Sequence, residues 1–174
     1  MKLSTFAVTS VLSLAAIVSP LFFPSTAYAQ TAGMDGSYIG VGVSPGITNG
    51  GNINDSAVFG GHVQGRLQLG RAPVSLRGAV IFGGDTTAFV PTLTYDAPIA
   101  DNTNLYIGGG ASFVGTEGSI SPLGNRNSFV VTGGVETAVD KSWVVYSDVK
   151  LGLNAYKNSG ASAASVQVGV GYRF

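Results

Sequence analysis

From residue 36 to the final Phe174, apolar side chains recur at every second position, in one segment after another. The last nine residues, VQVGVGYRF, display the pattern most plainly. Val166, Val168, Val170, Tyr172 and Phe174 alternate with Gln167, Gly169, Gly171 and Arg173. Successive side chains of a strand point to opposite faces, so this period predicts strands with one apolar and one polar face. Glycine every few residues disfavours helix. The alternation falls into eight segments: 37–44, 58–70, 74–83, 87–96, 105–115, 128–139, 143–154 and 166–174. Most approach the ~9–11 residues that a tilted strand needs to cross a bilayer.

The connections alternate too. Long polar loops follow the first, fifth and seventh segments, at 45–57, 116–127 and 155–163. Short turns follow the second, around Arg71 and Ala72, and the sixth, at DKS. Long loops at one end and short turns at the other suit a membrane barrel. Two connections break the rule: GDT (84–86) is short where a long loop is due, and APIADNTN (97–104) is long where a turn is due.

Alternation alone does not say which face is outside. A soluble lipocalin-like barrel points its apolar face inward, a membrane barrel outward. Two features favour the second. The polar face is built largely of Gly40, Gly42, Gly60, Gly108, Gly110, Gly134, Gly169 and Gly171, with Ser and Thr. A soluble surface would carry Lys and Glu there, yet only 10% of the chain is charged. Aromatics of the apolar face also fall at segment ends. Phe82, Phe89, Phe113 and Phe129 lie toward the long loops, and Tyr95, Trp143, Tyr172 and Phe174 toward the short turns. Two such belts match two membrane interfaces. The sequence therefore predicts an all-β, eight-stranded, antiparallel up-and-down transmembrane β-barrel over 37–174, its last strand closing on the first.

Residues 1–29 read as a cleaved signal peptide. Lys2 precedes an apolar run from Phe6 to Phe23, and Ala27-Tyr28-Ala29 supplies the small-x-small cleavage pattern. Residues 30–36 form a short N-terminal segment. No later stretch is long and apolar enough for a spanning helix.

A signal peptide, eight strands and an alternating last strand ending in Val170, Tyr172 and Phe174 together resemble the small OmpA/OmpX-type barrels, the porin-family or outer-membrane β-barrel domain proteins. That resemblance covers the whole of the expected mature chain, from residue 30 on, and is architectural. It implies location in the cell outer membrane, contact with its lipids, and recognition of the terminal strand by the barrel-assembly machinery. It also implies loops that serve adhesion. The periplasmic peptidoglycan-binding domain of the OmpA type is not expected.

An eight-stranded barrel is just wide enough to be filled by side chains. The long inward residues are His62, Gln64, Arg66, Gln68, Arg77, Glu136, Tyr146, Asp148, Lys150 and Arg173. A two-residue turn at Arg71 and Ala72 sets Arg66 opposite Arg77, and two adjacent cations in a narrow lumen need anions. Glu136 should lie at similar depth across the barrel, helped by Asp148, with Lys150 near Asp148. The cluster either plugs the barrel or, by rearranging, gates a narrow path for small ions or solutes.

Other functions find little support. There is no Cys, and the single His62 cannot build a multi-histidine metal centre. No cofactor is indicated. A net charge of zero argues against nucleic acid. His62 is the only candidate base for a rim enzyme, with Asp55 and Ser56 near it in sequence, but no motif joins them. The glycines at 108–110 sit mid-strand, where close packing explains them better than a phosphate cradle. The loops, rich in Gly, Asn and Ser, are expected to be mobile, with Asp55, Glu117, Arg126 and Lys157 as solvated charges. The reading is a non-enzymatic outer-membrane barrel with a structural or surface-interaction role.

Overall fold

The computed structural model describes residues 33–50 and 57–174. Residues 1–29, predicted to be a signal peptide, and Asp55 and Ser56 of the first long loop lie outside the described residues. Eight strands follow in order: β1 (Tyr38–Val43), β2 (Gly61–Gln68), β3 (Val74–Gly83), β4 (Thr86–Ala100), β5 (Thr103–Val114), β6 (Ser128–Ala138), β7 (Trp143–Leu153) and β8 (Ala163–Arg173). Each pairs antiparallel with its neighbour, and β1 pairs with β8, which closes the barrel. The described residues contain no helix.

The pairing explains why the chain needs no apolar interior on the scale of a soluble domain. Along β7 exposure alternates residue by residue from Trp143 to Leu153. Trp143, Val145, Val149, Leu151 and Leu153 point out, and Val144, Tyr146, Asp148 and Lys150 are buried. The same inversion holds around the wall: Ile39 and Val41 are each 56% exposed, while Gln64, Arg66, Glu136 and Gln167 are at most 1% exposed. Apolar side chains outside and ions inside is a stable arrangement only where the surroundings are hydrocarbon. This is a transmembrane barrel.

Several boundaries differ from the sequence reading. The 97–104 segment is not a long connection: β4 runs through it to Ala100, and the turn shrinks to Asp101 and Asn102. Asn102 takes φ 62°, which a short polar side chain tolerates. A bulge at Ile99 absorbs the odd residue. The β2–β3 turn is a four-residue Gly70–Pro73 loop closed by Leu69 N–H donating to the Val74 carbonyl at 3.0 Å. Lengthening the turn symmetrically leaves the register unchanged, so Arg66 still faces Arg77. Strand β2 starts at Gly61 rather than 58, and β8 starts earlier, at Ala163.

The inward glycines make room for tyrosine rings. A Cβ on Gly134 would come within 2.7 Å of the Tyr106 ring, and one on Gly171 within 2.8 Å of Tyr38. Tyr146 lies between Gly40 and Gly169 in the same way. Each ring takes the space of a missing side chain across the lumen, and the Tyr38 and Tyr146 rings stack with centroids 5.5 Å apart.

Candidate functional site

The lumen is occupied at three levels, which strands with period-two alternation deliver from every side. In the half nearer the short turns sits an ion cluster. Arg66 and Arg77 are brought together by the β2–β3 register, and Asp96 on β4 and Glu136 on β6 face them. Arg77 grips Glu136 with two N–H donors, Nη1 to Oε2 at 2.7 Å and Nη2 to Oε1 at 3.0 Å. Its Nη2 also reaches Asp96 Oδ1 at 2.9 Å, and its Nε donates to Thr94 Oγ1 at 3.0 Å. Arg66 Nη2 donates to Asp96 Oδ2 at 2.8 Å, and its Nη1 lies 3.3 Å from Glu136 Oε1. Ser75 Oγ accepts from Arg66 Nε and donates to Asp96. The two cations thus share two carboxylates, and the charges cancel. The Arg77 guanidinium also lies 3.6 Å from the centroid of the Tyr106 ring.

Asp148 does not join this cluster. Its Oδ2 accepts from the Tyr106 hydroxyl at 2.8 Å, and its Oδ1 accepts from Lys150 Nζ at 2.7 Å. The tyrosine stands between Asp148 and Arg77, so Asp148 and Lys150 form a second neutral pair nearer the long loops. The second anion of the arginines is Asp96, which sequence reasoning missed. The signal was available: Asp96 has the inward parity of Thr92 and Thr94, but it stood at the very end of the predicted strand and was not counted among the long inward residues. Arg173, expected inside, stands half-exposed at the rim and donates to the Lys141 carbonyl at 3.1 Å.

The turn end of the lumen is closed by the N-terminal segment. Residues 33–36 fold into the mouth, and Met34 is 1% exposed against Tyr38, Ala138, Val144 and Tyr146. Asn104 clamps this strap: Met34 N–H donates to its Oδ1 at 3.0 Å, and its Nδ2 donates to the Met34 carbonyl at 2.7 Å. Arg66 Nη1 donates to the Gly36 carbonyl at 2.9 Å. Asn104→Ala is therefore expected to release the strap at a cost of about 1–3 kcal/mol, because buried backbone groups lose their partners. Hydrogen exchange checks it: the Met34 amide should lose protection while the β7 and β8 amides keep theirs.

The loop end is roofed, and the 116–127 and 155–163 loops, expected to be mobile, are packed there. Leu123 is wholly buried and packs with Ala79, Ile81, Ala88, Val90 and Val130. Ala155 and Ala163 are also wholly buried, and Tyr156 is 2% exposed. Backbone bonds tie the loops together: Asn125 N–H donates to the Ala155 carbonyl at 3.0 Å, and Asp85 N–H to the Ile120 carbonyl at 3.0 Å. The short 84–86 connection is thus covered by the longer 115–127 loop. Composition suggested freedom, but Leu123 anchors the 115–127 loop, and Ala155, Tyr156 and Ala163 anchor the 155–163 loop.

The outer wall carries the aromatic residues in two rings. Phe82, Phe89, Phe113 and Phe129 are exposed toward the loop end, and Phe59, not singled out from sequence, extends that ring at 72% exposure. Tyr95, Trp143, Tyr172 and Phe174 are exposed toward the turn end. Trp143 and Tyr172 meet edge to face, with centroids 6.0 Å apart. Val170, Tyr172 and Phe174 all point outward from β8.

His62 lies inside, its Nε2 2.9 Å from the Tyr146 hydroxyl. That pairing provides neither a nucleophile with a base nor an orienting carboxylate. Among the described residues no group of His, Asp and Glu is placed to hold a metal ion.

No protein-family model matches the chain, and no curated protein matches it in sequence. Solved structures do match in fold. Ail, the attachment invasion locus protein of Yersinia pestis, superposes with a TM-score of 0.58 at 19% identity, over 81% of this chain and 100% of Ail. Neisserial surface protein A gives 0.58 at 12% identity, over 80% and 98%. The N-terminal β-barrel domain of Pseudomonas aeruginosa OprF gives 0.55 at 10% identity, over 81% and 98%. The fold is that of the small eight-stranded outer-membrane barrels.

Proposed function

We propose that the protein is exported to the outer membrane of a Gram-negative envelope, stands there as a plugged barrel, and uses its loop roof as a contact surface. The observation that carries this reading is the filling of the lumen at three levels: strap, ion cluster and roof. Residues 1–29 direct export and are removed. The outward row Val170, Tyr172 and Phe174 is what the barrel-assembly machinery reads. The turns face the periplasm and the loops face the outside. No catalytic role is assigned to any residue.

Ail has been crystallised with the heparin analogue sucrose octasulfate. The described roof here carries Asp85, Glu117, Arg126 and Lys157, two charges of each sign. It lacks the basic surplus that a polyanion requires, so its contacts are read as neutral and polar.

Orientation and location are tested by epitope insertion. A tag at Asn158–Gly160 should be labelled by antibody on intact cells, and a tag at Arg71–Ala72 only after permeabilisation. The reverse result would invert the barrel. The alternative, a narrow gated channel, is tested by planar-bilayer recording of the refolded protein. Each arginine holds both carboxylates, so the expected trace is silent at low voltage, and stepwise conductance would replace the plug with a gate.

A further inference from the structure

We propose that Lys150 and Gln64 join in a covalent isopeptide bond across the lumen, formed by the folded chain on itself with release of ammonia. Lys150 stands on β7 and Gln64 on β2, strands that are not neighbours in the barrel. Their side chains meet across it. Lys150 Nζ donates to Gln64 Oε1 at 3.3 Å and to Asp148 Oδ1 at 2.7 Å. Gln64 Nε2 donates to the Tyr38 hydroxyl at 3.2 Å, which holds the amide with its carbonyl end toward the lysine. The Tyr106 hydroxyl donates to Asp148 Oδ2 at 2.8 Å and keeps the carboxylate beside Nζ. None of Lys150, Gln64 and Asp148 is more than 3% exposed.

An amine, a primary amide and a carboxylate in mutual contact are the parts of an amide exchange: nucleophile, acyl group and base. The Lys150 ammonium first gives a proton to Asp148 Oδ1. The freed Nζ lone pair attacks Gln64 Cδ, and the Nζ–Cδ bond forms as the carbonyl pair moves onto Oε1. A proton passes from the attacking nitrogen to Nε2. The pair on Oε1 returns, the Cδ–Nε2 bond breaks, and ammonia leaves. Lys150 ends as an amide nitrogen and Asp148 as a neutral acid, so the lumen's net charge is unchanged and no oxidant or cofactor enters. Three features favour the step. Nζ is held 3.3 Å from the oxygen of the carbonyl it attacks, close to the separation at which bound groups react. Burial keeps out the water that would compete for the acyl group. The product replaces a buried ion pair, costly to desolvate, with a neutral amide and a neutral acid. The reaction runs once per chain, so it is a modification of the barrel and not an enzymatic activity.

Peptide mass spectrometry tests it. The full chain is dissolved in urea and refolded into lipid vesicles, with folding scored by the heat-modifiable gel shift. Folded and never-folded samples are then denatured and digested with trypsin. The folded sample should leave Lys150 uncut and yield residues 142–157 joined to the peptide that ends at Arg66, lighter than the two together by one ammonia. The never-folded sample should give separate peptides cut at Lys150. The branched peptide is the readout, since any other loss of ammonia along the chain lowers the intact mass in the same way. Gln64→Met should fold and give separate peptides. Asp148→Asn keeps the side chain's size but removes the base, and should slow linkage by about 100-fold or more. Should either variant fail to fold, the parent digest still decides. Separate peptides from the folded parent, a branched peptide from the never-folded sample, or an unchanged linkage rate in Asp148→Asn overturns the proposal. Loss of water with Lys150 joined to Asp148 would overturn it in favour of a link within β7.

Discussion

Replacing Glu136 by alanine is expected to destabilise the folded barrel by about 3–5 kcal/mol, the cost of leaving a buried charge without its counter-ion. The cluster contains two guanidiniums and two carboxylates. Without Glu136, Arg66 and Arg77 share Asp96 alone, and one positive charge stays uncompensated at sites no more than 3% exposed. Arg77 loses both arms of its bidentate contact, and Asn104 loses the 3.3 Å bond that ties the strap clamp to the cluster. Urea unfolding in lipid vesicles, with the heat-modifiable gel shift as a second readout, measures the loss. An unchanged shift and midpoint would sink the cluster as a source of stability. Adding Arg77→Met to the Glu136→Ala chain should recover a large part of the loss, since it leaves Arg66 with Asp96 as a neutral pair.

The second large effect lies on the opposite face of the wall. Val41→Arg is expected to cost about 2–4 kcal/mol, the penalty for a cation near the bilayer midplane on the lipid face. Val41 sits mid-strand in β1, paired with Val63 on one side and Val170 on the other, and is 56% exposed. In water such an exposed substitution would change stability by about 0.5 kcal/mol or less. The measurement therefore decides what surrounds the wall. Unfolding in vesicles should show the full penalty, and Val41→Leu should show none. A Val41→Arg barrel as stable as its parent would mean that this face meets water and would reverse the assignment of inside and outside.

Much of the architecture was legible because a strand has a strict period of two. One unbroken alternation assigns every residue of β7 to a face without any tertiary information. The sidedness followed from a different kind of evidence, the small size of the polar-face residues and the placement of aromatics at strand ends. The pairing of Arg66 with Arg77 was legible because a hairpin register is local and a turn lengthened symmetrically preserves it. Strand ends were less legible. Ala97, Pro98 and Ile99 look like a connection, yet a bulge lets β4 carry them, and that misreading hid Asp96.

The sequence by itself determined which residues face lipid and which face the lumen, how many strands there are, and that arginine and glutamate must meet inside. These follow from backbone periodicity, from loop length and from the cost of burying charge, all of which act over a few residues or on the chain as a whole. Only the tertiary structure decided which ions actually pair, because that depends on how strands distant in sequence are staggered around the closed barrel. The same stagger interposes Tyr106 between Arg77 and Asp148. It also aligns Asn104 with the Met34 backbone and Leu123 with the β3, β4 and β6 side chains, so that strap and roof close the two mouths. Those contacts join residues far apart in the chain, through short polar segments that carry no periodic pattern, and only the closed barrel brings them within reach.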